Sequence, residues 1–540
     1  MVKEFSINVK PQDEHNEFLI LQNVLKELAK SGIKAKKDEI SLVPLKKSID
    51  ARHGQVKFCL RYRVFIGEKP GDCQTNEIPV WKKAEENAKK VIIVGSGPAG
   101  LFGALKLLEK GIKPVIVERG VEVHQRKRDI AAISTKGTVD ANSNYCFGEG
   151  GAGTFSDGKL YTRSNKRGNI AKILQIFVHF GADKEILTAA HPHIGTDKLP
   201  KIIESMRKEI QNLGGEFLFG TKFTGFIFEE NEKSSVKGIT AEDVADGKTF
   251  ELSGDAVLLA TGHSANDVYF ALAEAAPQAL EAKTFATGVR VEHPRQLIDA
   301  IQYHGQIKDG ILPTAEYTLT TQVDGRGVYS FCMCPGGFVV PSSTGPDEIV
   351  INGMSPASRR SKWSNAAIVV ETRPEDIPGT FVKKAEEAGC PALAGLFYRS
   401  GLEAQTKKYG KGQKAPAQRL SDFLDGKDSE TLPESSYTPG LNPSRLDKWM
   451  PEFIKSHLMQ AFRNFNRNMK GFICPDALVI ASETRTSTPV RILRDKTTFE
   501  SCALKNLYPA GEGSGYSGGI VSSAMDGENA CQAIIRKFAM

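Results

Sequence analysis

Gly95, Gly97 and Gly100 stand in G-x-G-x-x-G spacing, and Glu118 follows 18 residues after the last of them. Glycines so spaced allow a tight turn, admit a pyrophosphate against bare backbone and bring a helix close to a strand. An acid at that distance accepts hydrogen bonds from a ribose diol and disfavours a 2′-phosphate, which argues against NADP here. The elements that must position these residues are readable around them. Residues 91–94 are an apolar run too short for a helix and predict a buried parallel strand. Residues 101–110 carry helical periodicity up to Gly111, a helix stop, and 114–117 predict a second strand ending on Glu118. Strand, glycines, helix, strand and acid in this order predict a dinucleotide cradle of Gly95, Gly97, Pro98, Ala99, Gly100, Glu118 and the adjoining Arg119, its phosphates at the helix N-terminus.

Two later glycine-rich stretches refine the cofactor. Residues 144–162 (NYCFGEGGAGTFSDGKLYT) hold glycines at 148, 150, 151, 153 and 158, enough to bring backbone amides against a phosphate or a ring. Gly150, Gly151, Gly153 and Thr154 are assigned to that contact. Residues 507–513 (LYPAGEG) resemble the second flavin signature of glutathione-reductase-like flavoproteins, where an acid after Ala-Gly holds the ribityl chain. Gly511 is followed here by Glu512 in place of the usual Asp. Gly518, Gly519 and Ile520 then open the final helix, whose first amides suit the flavin's pyrimidine edge and negative charge on the reduced ring. Ala260, Thr261 and Gly262 resemble the strand end that closes over the same cofactor. Together these resemblances imply FAD, held non-covalently rather than covalently.

The resemblance becomes specific over nearly the whole chain. Residues 147–160, 191–197 (HPHIGTD), 288–294 (GVRVEHP), 332–337 (CMCPGG), 352–355 (NGMS) and 483–487 (ETRTS) are similar to segments of the FAD-dependent dehydrogenases also called NAD(FAD)-utilising dehydrogenases. Membership implies FAD, a glutathione-reductase-like fold and a redox role, with no agreed substrate. The family pattern favours Arg before Asp267, where this chain has Asn266.

Several polar groups are candidates for chemistry beside a flavin. His193, His263 and His293 are possible proton donors to pair with hydride transfer, His263 best placed because it follows Gly262. Glu483, Arg485 and Arg491 suit an oxyanion, or an internal Glu–Arg pair joining the long middle segment to the cofactor domain. Cys332 and Cys334 form a C-x-C, either a two-electron relay or two small buried hydrophobes in a strand over 328–334; the plainer reading is favoured. His263, Arg485, Arg491 and Cys334 are the catalytic candidates; no metal site is expected.

The whole chain has 540 residues, is 40% hydrophobic and 25% charged, and carries a net +7, an ordinary globular make-up too mildly basic to imply nucleic acid. Nine scattered cysteines (59, 73, 146, 332, 334, 390, 474, 502, 531) suggest neither zinc nor a disulfide framework. With no apolar leader and no segment of bilayer length, the chain is expected in the cytoplasm, away from membranes. The predicted fold class is α/β, with a Rossmann-like FAD-binding domain of glutathione-reductase type (88–270 and 476–540) interrupted by a mixed α+β substrate or cap domain (275–475). A small βαββ module (1–80) precedes it, joined through a linker at 69–76 and a polar helix over 81–90. The expected function is an FAD-dependent oxidoreductase exchanging a hydride with a small anionic organic substrate, with NAD(P)H as a transient co-substrate. The alternatives are a flavin-dependent factor modifying RNA or protein, with the N-terminal module and 407–414 (KKYGKGQK) as its grip, and a flavin-binding scaffold without turnover. That basic stretch reads first as a solvated loop, so nucleic acid is disfavoured as a partner.

Overall fold

The computed structural model describes residues 1–70, 78–162, 164, 166–306 and 310–539; Cys73 and most of the expected linker lie outside them. At the N-terminus, strands Val2–Val9, Ile40–Asp50 and Lys57–Ile66 form an antiparallel sheet with Lys57–Ile66 in the centre. Helix Glu17–Lys30 begins where the Asn16 side chain accepts from Leu19 N at 3.1 Å. It buries Ile20, Val24 and Leu28 against Ile7, Phe58, Leu60 and Val64.

The centre of the molecule is a five-stranded parallel sheet. Its order is Leu507–Pro509, Ala256–Leu259, Lys90–Val94, Lys113–Val117, Glu216–Leu218. Helices cover one face of this sheet and the antiparallel sheet of Thr221–Glu229, Glu232–Asp243 and Thr249–Ser253 packs on the other. Its inner strands are therefore buried on both faces and read as unbroken apolar runs. Helix Pro98–Leu108, which follows the first glycine turn, packs against the C-terminal helix Ile520–Phe538. The contact needs glycine: a Cβ on Gly527 would lie 2.0 Å from Ala99 O. This crossing brings the far end of the chain to the glycine turn.

A second, seven-stranded sheet runs Thr320–Val323, Arg326–Cys334, Trp363–Thr372, Phe285–Pro294, Leu478–Glu483, Ala415–Arg419, Leu441–Pro443, antiparallel except for its last pair. It extends past residue 475, since Leu478–Glu483 is one of its inner strands. Alternation along Phe285–Pro294 sends Val289 and Val291 into the core and puts Arg290 on the other face, where it bonds Asn352 and the Cys332 carbonyl.

Two expectations need correction. Residues 81–90 are not a helix: Lys82 N donates to Leu108 O and Ala84 N to Leu213 O, both at 2.8 Å. The carbonyl ends of two neighbouring helices thus take the amides a helix would need for itself, while Trp81 stacks on Phe180 at 5.6 Å. Residues 407–414 are not one loop either. Lys407, Lys408 and Tyr409 complete helix Ala394–Tyr409, Tyr409 stacks on Trp449 at 4.7 Å, and Lys411 and Lys414 pair across a turn.

Candidate active site

Three glycine segments meet backbone to backbone at the C-terminal edge of the parallel sheet and wall a cavity of about 380 Å³. Gly95 turns with φ 105°, and a Cβ there would lie 2.4 Å from Ala260 O. Gly513 lies so close to Gly262 that a Cβ would meet its carbonyl at 2.4 Å. Side chains at these positions would fill the space between the walls.

The fingerprint end of the cavity is lined by Gly95, Gly97, Pro98, Ala99, Glu118 and Arg119. Gly97 caps helix Pro98–Leu108 with no side-chain acceptor for the first amides. The Glu118 carboxylate accepts from Ser96 N (3.1 Å), Ser96 Oγ (2.6 Å), Gly120 N (3.0 Å) and Gly148 N (3.0 Å). It therefore ties the first glycine turn to the second glycine loop as well as facing the cavity. Arg119 is held by Asp267 at 2.6 Å and lies over the Phe147 ring at 4.3 Å.

The loop at 144–151 is built around one buried cation. Arg126 donates to the carbonyls of Asn144 (2.9 Å), Tyr145 (3.0 Å), Gly148 (3.1 Å), Glu149 (2.7 Å) and Gly151 (2.9 Å). Burial pulls its guanidinium down to about 10, still charged at neutral pH. Lysine has three donors and no planar fork, so Arg126→Lys leaves buried carbonyls without partners. We expect it to lower the unfolding free energy of the purified protein by about 3 kcal/mol in urea titrations.

Along the middle of the cavity stand Gly151, Gly153, Thr261, Gly262, Gly511, Glu512, Gly518, Gly519 and Ile520. Asp526 fixes the Gly511 turn by accepting its N–H at 2.8 Å while paired to Arg494 at 2.6 Å. Helix Ile520–Phe538 starts at Gly519, again without a side-chain cap. Two uncapped helix N-termini thus reach one cavity, an arrangement suited to a pyrophosphate at one and an electron-rich ring edge at the other. The glycine cradle and its donors fit FAD.

Three predicted contacts fall outside this lining. Gly100 lies beneath the turn, where a Cβ would be 2.0 Å from Gly95 O. Gly150 and Thr154 face a small neighbouring void, and they shape the loop: Gly150 takes φ 78° and Thr154 Oγ1 donates to Glu149 O at 2.9 Å.

Of the catalytic candidates, His263 and Arg485 line the cavity and Arg491 and Cys334 do not. His263 Nε2 donates to the Arg485 carbonyl at 3.0 Å, so its Nδ1, 3.5 Å from Glu512 Oε1, is the nitrogen left to take up a proton. The Arg485 guanidinium is already neutralised by Glu403 (2.9 Å) and Glu348 (2.7 Å), with Thr344 Oγ1 at 3.0 Å. Its partners are these two acids, since Glu483 pairs with Arg290 at 2.9 Å. Arg491 is partly exposed and paired to Glu281 at 2.9 Å. His293 is buried away from the cavity against Phe472, and burial pulls its imidazole down to about 4, which removes it as a proton donor. His193 bonds the Ala357 carbonyl at 3.2 Å and is also outside the lining. Arg399 supplies a cation beside Asn266, donating to its Oδ1 at 2.6 Å.

The far end of the cavity holds Cys332 of the C-x-C pair together with residues to which the sequence assigned no role: Asp157, Lys159, Phe331 and Asn352. Among the described residues no group of three or more His, Cys, Asp or Glu could hold a metal ion, and no helix is long and apolar enough to cross a membrane.

Residues 89–294 match the pyridine nucleotide-disulphide oxidoreductase model, 284–486 the FAD-dependent protein C-terminal domain-like model, and 1–65 a domain of unknown function. A Clostridium beijerinckii protein described as uncharacterised is 36% identical over 535 residues, covering 96% of each chain. Among solved structures, a Bacillus halodurans glycerol-3-phosphate dehydrogenase complexed with FAD is 13% identical (TM-score 0.28), over 53% of this chain and 48% of its own. A water-forming NADH oxidase from Lactobacillus brevis bound to NADH is 16% identical (TM-score 0.15), over 32% and 25%. Likenesses this slight say nothing about the substrate of this chain.

Proposed function

This chain belongs to the FAD-dependent dehydrogenase family as an FAD-dependent oxidoreductase, and from that premise we propose that it exchanges a hydride between bound flavin and a small anionic organic substrate. The observation that carries the reading is the continuity of one cavity from the fingerprint glycines to Lys159 and Asn352 on the far side. FAD, when bound, supplies the two-electron chemistry. Gly97 and Pro98 receive the pyrophosphate, Glu118 the ribose, and Gly519 and Ile520 the pyrimidine edge. Lys159, whose side chain lines the cavity while its ammonium bonds the Met333 carbonyl, meets the substrate anion, and Tyr161, about half exposed at the rim, faces its entrance. His263, oriented by the Arg485 carbonyl and adjoining Glu512, holds or takes the proton that accompanies hydride transfer. We read the parallel sheet as the glutathione-reductase-type FAD-binding domain and the seven-stranded sheet as a cap that ends beyond Glu483.

The test is an anaerobic titration of the yellow protein with NADH, NADPH and a panel of carboxylated and phosphorylated metabolites. Bleaching of the flavin band by one anionic metabolite, weakened by Lys159→Met through KM rather than kcat, is the expected result. Bleaching only by uncharged compounds, unaffected by that substitution, would contradict it.

A further inference from the structure

The far wall of the cavity ends in two sulfurs. Strand Arg326–Cys334 breaks register against Trp363–Thr372 between Phe331 and Cys334, and at this break Cys332 takes the left-handed conformation with φ 43°. A non-glycine residue is held there only when its surroundings impose it, and such residues cluster at functional sites. Cys332 lines the cavity; Cys334 is buried behind it. The Cys334 thiol donates to the Cys332 carbonyl at 3.3 Å. Backbone closes its other side, since a Cβ on Gly353 would sit 2.8 Å from Cys334 Sγ. Its route to the cavity therefore passes through Cys332.

Charge favours a thiolate at the cavity-lining member of the pair. The Lys159 ammonium bonds the Met333 carbonyl between the two cysteines, and Arg290 donates to Cys332 O at 3.3 Å. The neighbouring Cys334 side chain, opposed by burial and reinforced by Lys159 and Arg290, brings the Cys332 thiol down to about 6, while Cys334 is pushed up. Two small apolar residues would account for neither the strained backbone nor the cation beside it.

We propose that Cys332 and Cys334 are a redox-active dithiol that exchanges an electron pair with the flavin, a second two-electron store in the same cavity. The proposal rests on the reading of this cavity as a flavin site. In the oxidising direction the Cys332 thiolate and the Cys334 thiol join by a new S–S bond. The Cys334 S–H bond breaks, and its proton and the electron pair pass to the oxidised flavin, leaving one negative charge before and after. Cys332, the sulfur facing the cavity, is the one that meets flavin or an entering disulfide; Cys334 resolves.

Anaerobic reductive titration of air-oxidised holoprotein with dithionite tests this without a substrate, because the reagent reduces flavin and disulfide alike. The parent is expected to take up twice as many reducing equivalents per flavin as Cys334→Ser or Cys334→Ala. Mass spectrometry after alkylation should find Cys332 and Cys334 protected in the oxidised parent and labelled after reduction, with cavity-lining Cys146 labelled in both. In the reduced parent, the rate of Cys332 alkylation should rise with a midpoint at about pH 6, moved upward in Lys159→Met. Equal uptake by parent and variants, with both cysteines labelled in oxidised protein, would overturn the dithiol while leaving the flavin reading intact. A preparation that binds no flavin would overturn both.

Discussion

Gly97→Ala will fold as the parent does and lose its flavin. Gly97 has φ −72° and ψ −176°, which any residue adopts, and a Cβ there would meet nothing closer than Gly151 Cα at 3.9 Å. The protein alone therefore accepts the methyl group, and replacing glycine by alanine at a helix cap costs about 1 kcal/mol or less. The methyl projects where a pyrophosphate must approach the backbone, so FAD affinity should fall by about 100-fold, or about 2.7 kcal/mol. Thermal melts with and without added FAD separate the two effects: the parent's Tm climbs with FAD and the variant's does not, while the flavin-free melts coincide. Gly100→Ala is the contrasting control. Its Cβ would lie 2.0 Å from Gly95 O, so it should damage the fold itself. A Gly97→Ala protein as yellow as the parent would remove the pyrophosphate from this turn.

Arg485→Met is expected to destabilise the protein by about 3–5 kcal/mol, read as a lowered urea midpoint, because removing one partner of a buried ion pair strands the other. Glu403 is fully buried and accepts from Arg485 Nε and Nη2, both at 2.9 Å, and from Thr484 Oγ1 at 2.7 Å. Burial pushes the Glu403 carboxyl up, but Arg485, helped by Arg399 at 4.0 Å, overrides it and holds it down to about 2. A carboxyl depressed in the folded state contributes stability above its unfolded value, about 4.3, and that contribution fades as pH falls toward 2. The acid limb of the parent's stability profile should therefore be steeper than the variant's. Adding Glu403→Gln to Arg485→Met should restore part of the loss, since it removes the stranded charge. A variant of unchanged stability with a raised substrate KM would make Arg485 a substrate ligand instead.

How far the sequence reached can be judged residue by residue. Strand, turn and helix around Gly95, Gly97 and Gly100 were readable because every link in that unit is local: an apolar run, a fixed glycine spacing, a helix stop. The return of residues 507–520 to the same cleft was readable only through resemblance. What holds it there is Gly527 against Ala99 O, a contact between segments more than four hundred residues apart that carries no local pattern. The same reason hid the partners of Arg485. ETRTS placed Glu483 two residues away, at the end of the preceding strand, yet the register of Leu478–Glu483 against Phe285–Pro294 gives that acid to Arg290. Residues 81–90 misled because their composition suits a helix, while their amides are taken by the ends of two other helices. Lys159 and Cys332 were visible as members of matching segments, but their meeting across one cavity depends on how the seven-stranded sheet stands over the glycine loop.

The central claim is that glycine segments far apart in the chain close on one FAD. Titrating FAD into the flavin-free protein while following flavin fluorescence and Tm tests it most directly. The account predicts saturation at one FAD per chain, release on denaturation, and loss of binding in Gly97→Ala and in a chain whose Gly519 is replaced by valine. No saturable binding, or binding that survives both substitutions, would contradict it.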